Sequence, residues 1–301
     1  MSLYLIGVFA AFVAVFFHAW SNIFDNFFSG VVFKNLTVLQ FFSALTELVF
    51  IPIVLIFDFP KIVSLELFGL IAILALMDVL YTYPYYWALK RMDTSVITSL
   101  FSIGKIFVPL FAFFVAGERL LSLQYVGFFL VIISSVFLTL DIKKLRFDKA
   151  LFFMLLVSLI LTAQGVLYKY VFNQGASWGT VVVWMALYHL IFIAVPMLAK
   201  SNRKDLKGSV QLLKGRKGLF FLNQFLGWGG EAVYMLAIFL IPVSVVKGIT
   251  STQSIFVLLF AVFFAKNGNA VFHEQIRKET IWKKAALLVF IVIGAILITV
   301  V

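Results

Sequence analysis

The sequence contains no cysteine. That excludes disulfides, cysteine-ligated zinc, iron–sulfur clusters and thiol catalysis. Charge is scarce as well: Asp, Glu, Lys and Arg make up 12% of the residues, against roughly a quarter in a soluble domain. There is no P-loop lysine motif, no GxSxG and no dinucleotide glycine pattern. His273-Glu274-Gln275-Ile276-Arg277 begins like a zinc-protease HExxH, but Arg277 stands where the second histidine is needed. These absences argue against an enzyme and against ATP-driven work. They give no reason to expect a cofactor or a metal.

What is present is apolar. Of 301 residues, 63% are hydrophobic and 37 are phenylalanine, with a mean hydropathy of +1.11. No soluble core could hide that much apolar surface, so lipid must be the solvent for most of the chain. A membrane span needs roughly 20 apolar residues. Ten runs qualify as expected spans: 3–24, 36–57, 66–88, 94–116, 122–140, 149–172, 179–199, 218–240, 243–265 and 281–300. The first lacks a basic leader and a small-residue cleavage site, so it is expected to stay as a membrane helix. The longest polar connections, 200–217 and 266–280, leave no length for a soluble domain.

The chain repeats internally. Residues 106–116 and 255–265 are identical at eight of eleven positions, at an offset of 149. Ser95 and Ser244, Tyr85 and Tyr234, and Ala88 and Ala237 match at the same offset. The expected fold is therefore an all-α membrane protein of ten transmembrane helices, built as two five-helix repeats over residues 1–145 and 146–301. Five is odd, so the second repeat enters the membrane inverted.

Inversion makes a demand on the loops, because basic residues favour the cytoplasmic side. The net charge of +11 would suggest a nucleic-acid partner in a soluble protein. Here the bases sit in short loops and read as topology signals instead. Even-numbered loops hold only Lys61 and Arg119, and the odd-numbered loops hold nineteen bases. Seven of those are in 200–217: Lys200, Arg203, Lys204, Lys207, Lys214, Arg216 and Lys217. The odd loops are thus expected to be cytoplasmic, with both termini outside the cell membrane.

The stretch Ala88-Leu89-Lys90-Arg91-Met92-Asp93-Thr94-Ser95 leads into an apolar helix with Pro109, then Gly117-Glu118-Arg119, then Gln124-Tyr125-Val126-Gly127. In that order these features resemble the EamA family of the drug/metabolite transporter superfamily. The resemblance implies a ten-helix carrier whose third, fourth, eighth and ninth spans line a central cavity. The second half lacks a clear glycine–glutamate turn, although Asn267 and Glu274 stand near its place. The second span also lacks the arginine that family members often carry there.

Charged groups inside spans are costly and rare, which makes each a candidate for function. Six lie within the runs: Glu47, Asp78, Lys105, Lys169, Glu231 and Lys247, with Asp25 just past the end of the first. The alternative for each is a buried ion pair, or a lysine that snorkels to the interface. Lys169 is near a span end and favours snorkelling; Lys247 is one turn inside. The favoured substrate-binding or proton-coupling set is Glu231, Asp78, Lys105 and Lys247, followed by Glu47. Polar and aromatic neighbours extend it: Trp20, Asn22, Gln164, Trp228 and Gln253, with Tyr81 and Tyr85 one turn apart as a wall for a cation or aromatic ring. Tyr86 and Trp87 read as an interfacial belt. His18, His189 and the Thr250–Ser254 run add polar groups that support a wet cavity; singly the two histidines read as helix-to-helix contacts, with which the Ser/Thr run is also compatible. Pro84 and Pro109 are candidate kinks.

The expected function is secondary active transport of a small polar metabolite by alternating access, coupled to an ion gradient or to exchange. Acids and bases coexist in the spans, which favours an amino acid or amine over a polyanion. The alternatives are a flippase for a lipid or lipid-linked sugar, a membrane-embedded enzyme using Glu47, Asp78 and His189, and a channel. The final helix carries no GxxxG to argue for dimerisation, so a monomer is expected.

Overall fold

The apolar runs fold as helices because lipid offers no partner for backbone N–H and C=O groups. The computed structural model describes residues 2–92, 94–139, 149–266 and 281–300. Asp93, the fifth-loop bases Lys143, Lys144 and Arg146, and His273, Asn267 and Glu274 of the ninth loop lie outside the described residues, as do the side chains of Ser95, Lys266, Lys283 and Lys284. Fourteen α-helices follow in order: α1 (Leu3–Phe27), α2 (Leu36–Glu47), α3 (Phe50–Phe57), α4 (Leu65–Leu89), α5 (Thr94–Lys105), α6 (Val108–Ala116), α7 (Ser122–Thr139), α8 (Lys149–Asn173), α9 (Trp178–Met197), α10 (Lys200–Leu212), α11 (Lys217–Leu240), α12 (Val243–Thr250), α13 (Gln253–Lys266) and α14 (Ile281–Thr299). A π-helical turn, Phe28–Val32, extends α1. No strand occurs among the described residues.

Six of these segments are long and apolar enough to cross a membrane. They are Leu3–Val32, Leu36–Phe57, Leu65–Leu89, Lys149–Asn173, Trp178–Met197 and Val243–Phe260. The pair α5 and α6, bent by 44°, makes a seventh if counted as one span. The other expected runs are helical too. Ser122–Leu138 and Ala286–Thr299 are short apolar helices, and α11 is diluted by Asn223, Gln224 and four glycines. Large apolar side chains such as Phe9, Phe57, Phe114, Val195 and Phe263 face outward, an exterior suited to lipid.

Helix pairing follows a pattern. The first helix, α1, packs along α11 and α13, and α8 packs along α4, α5 and α6. Helices α7 and α14 cross closely at Gly127 and Gly294, where an added Cβ on Gly127 would come within 2.7 Å of the Gly294 carbonyl. The absent GxxxG is therefore no obstacle to tight packing within the chain. Polar contacts between connections also sort into two groups. Asn35 donates to Asn202 and Asp205, and Asn26 donates to Thr94. These join the first, third and seventh connections. Elsewhere the Gly179 amide donates to Asp58, Asn173 donates to the Ala116 carbonyl, and Tyr4 donates to the Thr299 carbonyl. Even-numbered connections meet each other, and the two termini meet.

Several runs expected as single helices are interrupted. Between α5 and α6 the amides of Ile106 and Phe107 turn back to Ile103 and Gly104. Pro109 follows at the start of α6, where its missing N–H costs nothing. Between α12 and α13 the hydroxyls of Ser251 and Thr252 accept the task of satisfying freed carbonyls, donating to those of Lys247 and Ile249. The Thr250–Ser254 run thus satisfies its own backbone, while Thr250 also accepts from Lys105 on α5. Helix α4 runs through Pro84 without a break.

Gly117 ends α6 in the left-handed region at φ 67°, which a glycine adopts without steric cost. The next residue uses that turn. Glu118 accepts hydrogen bonds from the Val243 and Ser244 amides at 2.6 and 3.1 Å, and from the Ser244 hydroxyl at 3.0 Å. A carboxylate from the connection between α6 and α7 thus caps the N-terminus of α12, satisfying orphan donors and opposing the positive end of the helix dipole.

Candidate functional site

The breaks explain how two lysines can be buried. Lys105 is the last residue of α5 and Lys247 lies in the last turn of α12. A helix C-terminus presents unpaired carbonyls and a negative dipole end, so an ammonium is favoured there. Lys247 Nζ donates to the Leu161 carbonyl at 2.8 Å and lies 5.0 Å from the centre of the Tyr234 ring. Lys105 Nζ lies 3.2 Å from Thr250 Oγ1. Gly165 leaves the passage open, since a Cβ there would fall 2.2 Å from Lys247 Cε. Lys169 ends differently: it donates to the Ile238 and Ile241 carbonyls and caps the C-terminus of α11.

Both lysines border a cavity of about 210 Å³ between the two halves of the chain. Helices α1, α2, α4 and α5 of the first half and α8, α9, α11, α12 and α13 of the second contribute to its wall. Eleven of the twelve expected site residues line it: Asn22, Glu47, Asp78, Tyr81, Tyr85, Lys105, Gln164, Trp228, Glu231, Lys247 and Gln253. The exception is Trp20, which stacks on Phe24 at 5.0 Å and meets Phe260 edge-on at 5.7 Å. Residues 18, 21, 22 and 25 share the cavity-facing side of α1. Position 20 points away from it, as helical periodicity requires.

The strongest contacts in the wall centre on His189. Its Nδ1 lies 2.8 and 2.9 Å from the two Glu47 oxygens. Its Nε2 lies 3.2 Å from Asp78 Oδ2, at ion-pair distance but out of line for a hydrogen bond. Gln164 donates to the other Asp78 oxygen at 2.5 Å, and the Trp228 ring is 5.1 Å from the imidazole. An imidazole flanked by carboxylates on both nitrogens is suited to carry a proton. Because the two carboxylates sit on opposite sides of the ring, the three groups do not converge. No group of three or more His, Asp or Glu side chains among the described residues is arranged to hold a metal ion. A second histidine, His18, places Nε2 3.5 Å from Glu231 Oε2.

Sequence reasoning undervalued several wall residues. Singly, His18 and His189 read as helix contacts, and only the enzyme alternative grouped His189 with Glu47 and Asp78; both histidines face carboxylates in the cavity wall. Tyr86 was expected in the interfacial belt, and it is 6% exposed and lines the cavity. Trp87 does lie at the helix end, with the Arg91 guanidinium 3.8 Å above its ring. Asp25 lies within α1, which runs three residues past the expected end. Its Oδ1 accepts from Asn223 at 2.9 Å, and Tyr85 donates to Oδ2 at 3.4 Å and to Asn22 at 2.9 Å.

The model of the EamA-like transporter family, part of the drug/metabolite transporter superfamily, matches residues 5–140. Over those residues the chain is EamA-like. Its EamA-like part contributes Asp25, Glu47, Asp78 and Lys105 to the cavity, whereas His189, Glu231 and Lys247 lie beyond the matched segment. No curated protein matches the chain. A protein known from its crystal structure matches over 97% of this chain and 95% of its own, with a TM-score of 0.65 and 15% identity. At that identity the likeness speaks to the fold alone. The apolar helices are those of an integral membrane protein, and residues 5–140 are similar to a transporter family.

Proposed function

We propose that the chain is a secondary carrier of a small polar metabolite, an amino acid or amine being favoured, working by alternating access. The single observation that supports this most is the cavity's wall: charged side chains from both halves of the chain meet around one buried space. Rocking of one half against the other would expose that space to each side in turn. The ten-span, two-repeat reading draws support from three sources. Contacts exchange in pairs between the halves, as with α1 on α11 and α8 on α4. Interrupted helices recur at the repeated stretch, and connection contacts sort odd with odd and even with even. The first repeat, 1–145, is close to the segment the family model matches. On this reading the basic odd loops are cytoplasmic and both termini lie outside the cell membrane. The Glu47–His189–Asp78 group would, on this reading, couple transport to protons.

The test uses proteoliposomes holding the purified full chain. A mixed pool of amino acids and amines is offered under an imposed proton gradient, and the vesicle interior is analysed by mass spectrometry. Accumulation of one class, lost on adding a protonophore, is the expected result. Non-saturating flux would instead indicate a channel, and movement of lipid alone a flippase.

A further inference from the structure

The four carboxylates of the cavity are not alike. Glu47 and Asp78 share His189, and Glu231 has His18 beside it. Asp25 has no cationic partner among the described residues. Its neighbours Asn223 and Tyr85 are neutral donors, and it is 8% exposed. A buried carboxylate without a countercharge is costly to keep. Around it the cavity wall is aromatic: the Tyr85 ring lies 5.1 Å from Tyr86 and 5.6 Å from Phe101. Aromatic faces attract cations. In the same cavity Gln40 is 7% exposed, and its Oε1 receives no hydrogen bond, while its Nε2 donates to Thr82. A free acceptor, an uncompensated carboxylate and ring faces all ask for the same thing, a positively charged donor.

The cavity is also polarised along its length. Asn223, which holds Asp25, and Tyr234, which carries Lys247 over its ring, are both on α11. Their eleven-residue separation is about 16 Å at the helical rise. Lys247 shares its end with the carboxylates of Glu231 and Asp78, whereas Asp25 has no cationic partner among the described residues.

We propose that the Asp25 corner, walled by Tyr85, Tyr86 and Phe101, binds the ammonium group of an organic amine. This inference rests on the carrier reading and names its cargo class. Asp25 supplies the countercharge and the rings solvate the cation.

Binding by the detergent-purified full chain tests it without any transport. The probes are phenethylamine and benzyltrimethylammonium, with 2-phenylethanol as the neutral and 3-phenylpropionate as the anionic counterpart, each followed by calorimetry. The cations should bind and their counterparts should not. Asp25→Asn keeps the acceptor for Asn223 and should weaken cation binding at least about thirtyfold. Tyr85→Leu, which leaves Asp25 in place, should weaken it about two- to thirtyfold, and Tyr85→Phe much less. If Asp25→Asn fails to fold, the Tyr85 pair decides. Equal binding by the wild type and Asp25→Asn overturns the proposal. So does binding of 3-phenylpropionate alone, which leaves the carrier reading standing with a different cargo. Binding of no probe also overturns the amine corner, while uptake into proteoliposomes continues to judge the carrier reading separately.

Discussion

Replacing His189 by leucine removes the group that holds two buried carboxylates together. The imidazole lies 2.8 Å from Glu47 and 3.2 Å from Asp78. At an effective dielectric of about 20, each contact carries about 5–6 kcal/mol of gross attraction. Desolvation of the three groups cancels much of that, and truncating one partner of a buried pair typically costs about 3–5 kcal/mol. Glu47 and Asp78 remain buried in the variant, at 3% and 6% exposure, so water cannot replace the lost partner cheaply. Reversible unfolding in mixed micelles should therefore show His189→Leu less stable by about 3–5 kcal/mol. A cycle with Glu47→Gln separates pairing from packing. Because Glu47 and His189 are in contact, their coupling should exceed about 1 kcal/mol. A coupling within about 0.5 kcal/mol of zero, as for independent sites, would refute the pairing.

Other consequences follow from single contacts. Gly165→Ala puts a Cβ against the flexible end of Lys247, so the lysine rather than the fold should give way. Stability should fall by about 1–3 kcal/mol while substrate uptake falls severalfold; unchanged uptake would show that the position of Lys247 is immaterial. Glu118→Ala strips the cap from α12 and should cost about 1–2 kcal/mol, and an unshifted unfolding curve would count against that cap. A single cysteine at Ser2 should be labelled by an impermeant reagent from outside intact cells. Labelling only after permeabilisation would reverse the assigned orientation.

The sequence displayed the spans because an apolar run in lipid has little choice but helix. Lys105, Lys247, Asp78 and Glu231 were legible for the same reason, since a charge inside such a run stands out. The helix breaks were harder to read. Their signals, Pro109 and the Thr250–Ser254 hydroxyls, are local, and they do not say which turn opens. His189 was grouped with Glu47 and Asp78 only in the enzyme alternative, because its meaning comes from Glu47, 142 residues away, and from Asp78 on a third helix. Only packing of α2, α4 and α9 brings them together. Trp20 is the opposite case: the spacing of His18, Ser21, Asn22 and Asp25 already marked one face of α1, and position 20 is off it. Asp25 was read as just outside a span ending at residue 24, whereas α1 continues to Phe27; helix ends are defined only to within about one or two residues.

Alternating access is the central claim, and the cysteine-free sequence allows it to be measured directly. Ser43 lines the cavity, and a cysteine there can be challenged with an impermeant thiol reagent from each side of the membrane. A cross-link between cysteines at Asn35 and Asn202, whose side chains meet at 2.8 Å, would hold the odd-loop side shut. The account predicts labelling of Ser43→Cys from both sides in the free protein, and from the even-loop side alone once the link is closed. Labelling from one side only before cross-linking, or from both sides after it, would contradict alternating access.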